Sequence, residues 1–450
     1  MAENPFKIEA AAEGEGRCFA VTDTATGETL HYRLQAAGQA DYGRFFTALA
    51  RDLGTRAPRT GAGELAAEPP LRPLITRNLS ARILYGYGDP AVLDTGDGYV
   101  LVATSNDAPD AFPILRSRDL LSWEPAGFVF PEGQAPAWCL TGPNAADFWA
   151  PEMVRAGSTY WLAYTAREAS GELAIGLAKS AAPEGPWQDL GRPLLRGGVI
   201  DSHIYVDESG EAWLFWKEDR NGLWPSLLAG LLAERPRLIP DIFRAEEDRR
   251  TAAFSAAAYE WSLTLAPMER FFLFQPLIEA ALAQWATVRR ALDLCGHAGE
   301  ILDAMRTPIH AQRLSLEEAE LTGDPVAVLA NDLDWEGHLI EGPWLTKQAG
   351  RYWLFYAGND FSTPDYGIGV AVADSPLGPF QKQPEPLLRS SRDWWAPGHP
   401  SVACAPDGQP HLFLHAFVPG EVGYKAFRAL LTARLSFDRT GVHILPASLP

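Results

Sequence analysis

Lys347-Gln348-Ala349-Gly350, followed after one residue by Tyr352-Trp353-Leu354-Phe355-Tyr356, reads as a glycine turn that opens an aromatic strand, and the unit recurs. Its other strands are Tyr99-Val100-Leu101-Val102-Ala103, Tyr160-Trp161-Leu162-Ala163-Tyr164, Ala212-Trp213-Leu214-Phe215-Trp216 and His411-Leu412-Phe413-Leu414-His415. Each follows a glycine-bearing cluster, at 94–98, 155–158, 207–210 and 405–408, suited to positive φ and hairpin closure. Three of the four spacings are about 50 to 60 residues and the fourth is longer, which is the period of propeller blades. Further apolar stretches beginning at Leu115, Ile175, Ile368 and Leu431 read as third strands. Two of them lead into the same turn, Pro183-Glu184-Gly185-Pro186-Trp187 and Pro376-Leu377-Gly378-Pro379-Phe380. The repeat predicts an all-β five-bladed β-propeller over residues 81–450.

The pattern breaks between residues 227 and 307, where Ala and Leu become dense and the apolar period changes from two to about 3.6. This segment is read as an α-helical insertion in blade three. Ile278, Leu282, Trp285, Val288 and Leu292 follow helical steps, giving one apolar face that must pack on the propeller or on another subunit of a homo-oligomer. Asn221-Gly222-Leu223-Trp224-Pro225-Ser226 reads as the start of a strand pair that Ile309 to Ser315 would continue. Residues 1–80 read as an N-terminal appendage, with a hairpin around Thr26-Gly27, a short helix from Tyr42 to Leu53, and a Gly/Ala/Pro-rich linker at 55–73.

Composition narrows the function. The 450 residues carry 38 Lys+Arg against 57 Asp+Glu, a net charge of −19, so neither nucleic acid nor an anionic membrane surface is an expected partner. The most apolar stretch, 271–288, is interrupted by Gln275, Pro276, Glu279 and Gln284 and reads as a helix outside any membrane. Four scattered cysteines show no pairing or zinc spacing. No basic start followed by an apolar run is visible, and the expected location is cytoplasmic.

The chemistry lies just before the turns, on what would be the innermost strand of each blade. Nine residues before Gly98, Gly210, Gly350 and Gly408 stand Asp89, Asp201, Glu341 and His399. In the second blade the same count reaches Phe148 or Trp149. Equivalent positions on inner strands converge on the propeller axis, so three carboxylates and a histidine are expected in one pocket. Crowding carboxylates in an apolar setting pushes their proton affinities apart, which acid/base chemistry requires. Two carboxylates flanking a sugar bond are enough for glycoside hydrolysis, and the abundant Trp and Tyr suit sugar faces. A non-catalytic carbohydrate-binding propeller remains the alternative from another class.

Gly88-Asp89-Pro90, Phe148-Trp149-Ala150-Pro151-Glu152, Ile200-Asp201-Ser202-His203, Ile340-Glu341-Gly342-Pro343-Trp344 and Pro397-Gly398-His399-Pro400-Ser401 together resemble glycoside hydrolase family 43. The resemblance covers about residues 83–445 apart from the insertion. It implies a five-bladed propeller and an inverting mechanism with Asp89 as general base, Glu341 as general acid and Asp201 as the carboxylate that tunes and orients the acid. It also implies sugar contacts from Trp149, Arg428 and His399. No cofactor is required, but a structural Ca2+ in the central channel, with His399 beside it, belongs to the resemblance. The implied substrates are oligosaccharides with terminal α-L-arabinofuranosyl or β-D-xylosyl groups, with galactosidase action on β-linked galactan as the alternative.

Overall fold

A computed structural model of the chain describes residues 4–13, 16–34, 42–57, 59, 71–142, 146–361, 363–423 and 425–446. The backbone groups into two compact units, one of Met1–Thr60 with Arg220–Arg306 and one of Gly61–Asp219 with Thr307–Pro450.

The larger unit holds five antiparallel sheets, each running outward from a first strand: Ala91–Asp94, Trp149–Ala156, Val199–Val206, Ile340–Gln348 and Trp395–Cys404. Each first strand packs against the first strand of the next sheet, and the fifth packs against the first, so a ring forms without any single sheet closing on itself. This is the five-bladed propeller arrangement. The five recurrent aromatic segments are the second strands. Because both faces of a blade are covered by neighbours, these strands are apolar throughout rather than alternating, as Thr159–Arg167 shows with seven consecutive buried residues. Side chains such as Tyr164, Phe215, Trp353 and Tyr356 fill the layers between sheets, each contributing roughly 1.5–3 kcal/mol by leaving water. The short strand Arg72–Ile75 pairs with Ala429–Phe437 of the fifth sheet, so chain from before the first sheet seals the last.

Between the paired strands Ala212–Glu218 and Pro308–Ser315, the chain passes through helices Leu223–Glu234, Ile239–Ile242, Glu246–Ser262, Pro267–Leu282, Trp285–Cys295 and Gly299–Ala304. Two sequence expectations need correction here. Asn221 to Ser226 is not the start of a strand pair, since Leu223 already begins a helix. The apolar series from Ile278 to Leu292 is not one helix: Gln284 leaves helical geometry at φ −141°, and the helices on either side meet at 96°. Apolar spacing was legible, but a two-residue break preserves that spacing and so leaves no mark on it. Among the described residues no single helix is long and apolar enough to cross a membrane.

The helical segment shares its unit with the N-terminal residues, which the sequence had suggested were a separate appendage. Phe6–Glu13, Gly16–Asp23 and Thr29–Leu34 form a three-stranded sheet, and Tyr42–Leu53 is a helix. Phe19 packs against Trp261 at 4.3 Å and Phe6 against Phe254 at 6.0 Å. Arg56 pairs with Asp248 at 2.8 Å, and Arg59 with the fully buried Glu279 at 3.1 Å. Buried carboxylates persist only when paired, so these arginines bind the N-terminal chain to the helices. The linker assigned to 55–73 lies partly outside the described residues.

Candidate active site

Three of the residues singled out by counting back from the turns sit at a kink on, or just before, a first strand. Asp89, Asp201 and His399 sit at φ 53°, 58° and 49°, a region that costs a side-chain-bearing residue about 1–3 kcal/mol unless its surroundings enforce it. In the fourth strand the kink falls one residue later, at Gly342 (φ 56°), so Glu341 precedes the irregularity. The second strand has it at Ala150 (φ 43°). In the third, fourth and fifth sheets the pairing with the second strand slips at this place, between Ile200 and His203, between Glu341 and Trp344, and around Gly398. A bulge re-aims one side chain without ending the strand. Here it turns side chains from different sheets toward one another.

Asp89 is buried among cations and donors. Arg428 donates to both carboxylate oxygens at 3.0 and 3.1 Å, and the Thr104 hydroxyl donates to Oδ2. His399 and His415 present Nδ1 to Oδ1 at 3.5 and 3.3 Å, and the Asp89 amide donates to His415 Nδ1 at 3.0 Å. Burial alone would raise the carboxyl, but the charges of Arg428 and His399 and the Thr104 hydrogen bond outweigh it and hold Asp89 far below the usual carboxylate range. It is ionised at neutral pH. Burial, aided by Arg428, drops His415 to about 3, leaving its ring neutral.

Asp201 stands in the opposite environment. Burial is the main cause that lifts it to about 7; His399 acts against this, and neighbouring Glu341 acts with it. Its Oδ2 accepts the Gly342 amide at 2.9 Å, which ties it to the residue following Glu341. Glu341 itself is buried, with Tyr366 donating to Oε1 at 2.8 Å and Lys217 to Oε2 at 3.2 Å. His399 is raised because the charges of Asp89, Asp201, Glu152 and Glu341 more than offset the burial that would lower it. Glu152 pairs with His203 Nδ1, whose Nε2 accepts the Leu345 amide at 3.0 Å, so this carboxylate clamps the second, third and fourth sheets together.

The cluster therefore unites Asp89, Asp201, Glu341, His399 and Arg428. Trp149 is half-buried at the head of its strand and joins less directly: the Ala150 amide beside it donates at 2.8 Å to the same Thr104 hydroxyl that serves Asp89. Arg428, expected to face the sugar, has its guanidinium on Asp89. Two motif glycines follow from these contacts. A β-carbon on Gly88 would fall 1.9 Å from the Arg428 guanidinium carbon, and one on Gly398 would fall 1.8 Å from the Tyr366 ring. Each keeps open the path of a side chain that reaches a carboxylate.

The sequence reading missed Thr104, Lys217, Tyr366 and His415. One signal was available for Lys217. It is the lone basic residue at the end of an apolar strand, and a fully buried lysine is nearly always paired.

The calcium expectation meets a poor donor set. Ca2+ takes about six to eight oxygen ligands. Among the described residues no three His, Cys, Asp or Glu side chains form a group able to hold a metal. His399, which the resemblance sets beside such an ion, lies among Asp89, Asp201, Glu152 and Glu341.

A ring of five sheets thus brings carboxylates from three of them into one cluster, and two carboxylates are the groups that hydrolysis of a glycosidic bond needs. The family description "Glycosyl hydrolases family 43" matches residues 83–232 and 297–442, leaving out much of the helical segment, and the chain belongs to that family and is a glycoside hydrolase. It is 24% identical over 356 residues to the beta-D-galactofuranosidase xynD of Aspergillus niger, covering 75% of this chain and 74% of that one. It is 28% identical over 234 residues to xylosidase/arabinosidase 43A of Humicola insolens, covering 52% and 56%. Among solved structures, a thermostable family-43 glycoside hydrolase superposes with a TM-score of 0.58 at 26% identity, over 84% of this chain and 97% of that one.

Proposed function

We propose that this protein is an inverting exo-glycosidase that releases terminal α-L-arabinofuranosyl or β-D-xylosyl residues from oligosaccharides. One observation carries the reading: Asp89 and the Asp201–Glu341 pair are buried in one cluster but in opposite electrostatic settings. Asp89, held ionised, takes a proton from water as the water oxygen attacks the anomeric carbon. The glycosidic C–O bond breaks on the other side, and Glu341 gives its proton to the leaving oxygen. Asp201 lets the acidic pair keep one proton between them near neutral pH. Trp149 forms an apolar wall for the sugar, and His399 and Arg428 contact its hydroxyls while Arg428 holds the base.

The choice of sugar rests on relatives named as xylosidases and arabinosidases. A galactosyl-releasing enzyme is the second reading, favoured by the galactofuranosidase relative, which aligns over three-quarters of the chain. Hydrolysis of aryl α-L-arabinofuranoside, β-D-xylopyranoside, β-D-galactopyranoside and β-D-galactofuranoside separates the two. Turnover of a pentoside supports the first reading, turnover of a galactoside alone supports the second, and turnover of none favours a carbohydrate-binding propeller.

The Arg428 contact gives a pH prediction. Its charge lowers Asp89, so Arg428→Ala should raise the pH at which the base becomes protonated. The acid limb of the kcat/KM profile should move to higher pH by about one unit or more. An unmoved limb would detach Arg428 from the base.

A further inference from the structure

Lys217 and Tyr366 come from different sheets and meet on one carboxylate. Lys217 is the penultimate residue of the second strand of the third sheet and is fully buried, and its ammonium donates to Glu341 Oε2 at 3.2 Å. Tyr366 immediately precedes the third strand of the fourth sheet, is buried, and donates to Glu341 Oε1 at 2.8 Å. The Tyr366 ring crosses the backbone of Gly398 and lies parallel to that of His415, with centroids 6.5 Å apart at 26°. His415 in turn accepts the Asp89 amide. Burying a lysine so completely is costly, and its aliphatic stem could be replaced by a hydrocarbon side chain at no loss of packing. A stability role alone does not account for the ammonium.

We propose that Lys217 and Tyr366 are positioning residues for the acid: they hold the two oxygens of Glu341 from opposite sides, fix the rotation of its carboxyl plane, and direct its proton toward the leaving oxygen. This inference rests on the reading of Glu341 as the acid and extends it. The charged and titratable groups around Glu341 are Lys217 and Asp201 on the third sheet, Tyr366 on its own sheet, His399 on the fifth and Asp89 on the first. Loss of either donor should therefore leave the carboxyl in place but misdirected, at a cost that grows with the leaving group's need for a proton.

The test compares Lys217→Met and Tyr366→Phe with wild type on a series of aryl glycosides of falling leaving-group acidity, with Glu341→Gln alongside. Both variants should lose about tenfold or more in kcat on the poorest leaving groups and little on the most activated, with KM nearly unchanged. Lys217→Arg, which keeps a charged donor, should recover part of the loss. Equal losses across the series, or no recovery in Lys217→Arg, would overturn the proposal. Tyr366→Phe removes one hydroxyl and keeps the test open should Lys217→Met fail to fold. If Glu341→Gln shows leaving-group dependence and the two variants do not, the positioning role falls and the acid reading stands. If Glu341→Gln loses equally on all substrates, the acid reading falls and this inference with it.

Discussion

Asp89→Asn should abolish hydrolysis, with kcat falling by about 10^3-fold or more on every substrate regardless of leaving group. The substitution keeps shape and volume, but an amide cannot accept the proton that water must lose. It also strips the partner from Arg428, whose guanidinium spans both carboxylate oxygens at 3.0 and 3.1 Å. The fold should survive, because Thr104, Arg428 and His415 are anchored by their own strands. Steady-state rates with activated and unactivated aryl glycosides, beside a thermal melt, check this. Retention of more than a tenth of the activity would remove Asp89 from the reaction.

Glu341→Gln should behave differently. On substrates with poor leaving groups it should lose about 10^2 to 10^4-fold, because the departing oxygen then leaves without a proton. On activated aryl glycosides, whose phenolates leave unaided, the loss should be far smaller. Alkaline inactivation should also disappear from the profile of the variant, since the group that must stay protonated is gone. A plot of log kcat against leaving-group pKa, steeper in the variant than in wild type, is the expected result. Parallel plots would mean that the proton comes from elsewhere.

How far the sequence disclosed this site depends on what kind of information each residue carries. Turn glycines such as Gly98, Gly210, Gly350 and Gly408 are local, and counting back from them brought Asp89, Asp201, Glu341 and His399 into one register. The structure keeps that register at three strands as a kink on the counted residue, and displaces it by one at Glu341, where Gly342 takes the positive φ. The partners of these residues were not legible. Thr104, Lys217 and His415 occupy second strands or their flanks, and Tyr366 the approach to a third, in stretches whose composition is that of ordinary blade packing. Only the meeting of separate sheets shows that Tyr366 reaches across Gly398, or that His415 receives the Asp89 amide.

Long-range association was equally silent. Phe19 lies against Trp261 although more than 200 residues separate them in the chain, and neither neighbourhood marks the other. The helix break at Ala283 and Gln284 escaped notice because the apolar positions on either side keep their three- and four-residue steps. Periodicity reports which faces are apolar, and it does not report whether the backbone between them is continuous.

With Asp89 as base and Glu341 as acid, water attacks the face of the sugar opposite the departing group. Proton NMR of the first sugar released during rapid turnover reads this directly, before the free sugar equilibrates its anomers. Inversion predicts that a β-D-xyloside yields α-xylose first, or that an α-L-arabinofuranoside yields the β-anomer first. Appearance of the retained anomer first would require a covalent glycosyl-enzyme intermediate and would contradict the roles assigned to Asp89 and Glu341.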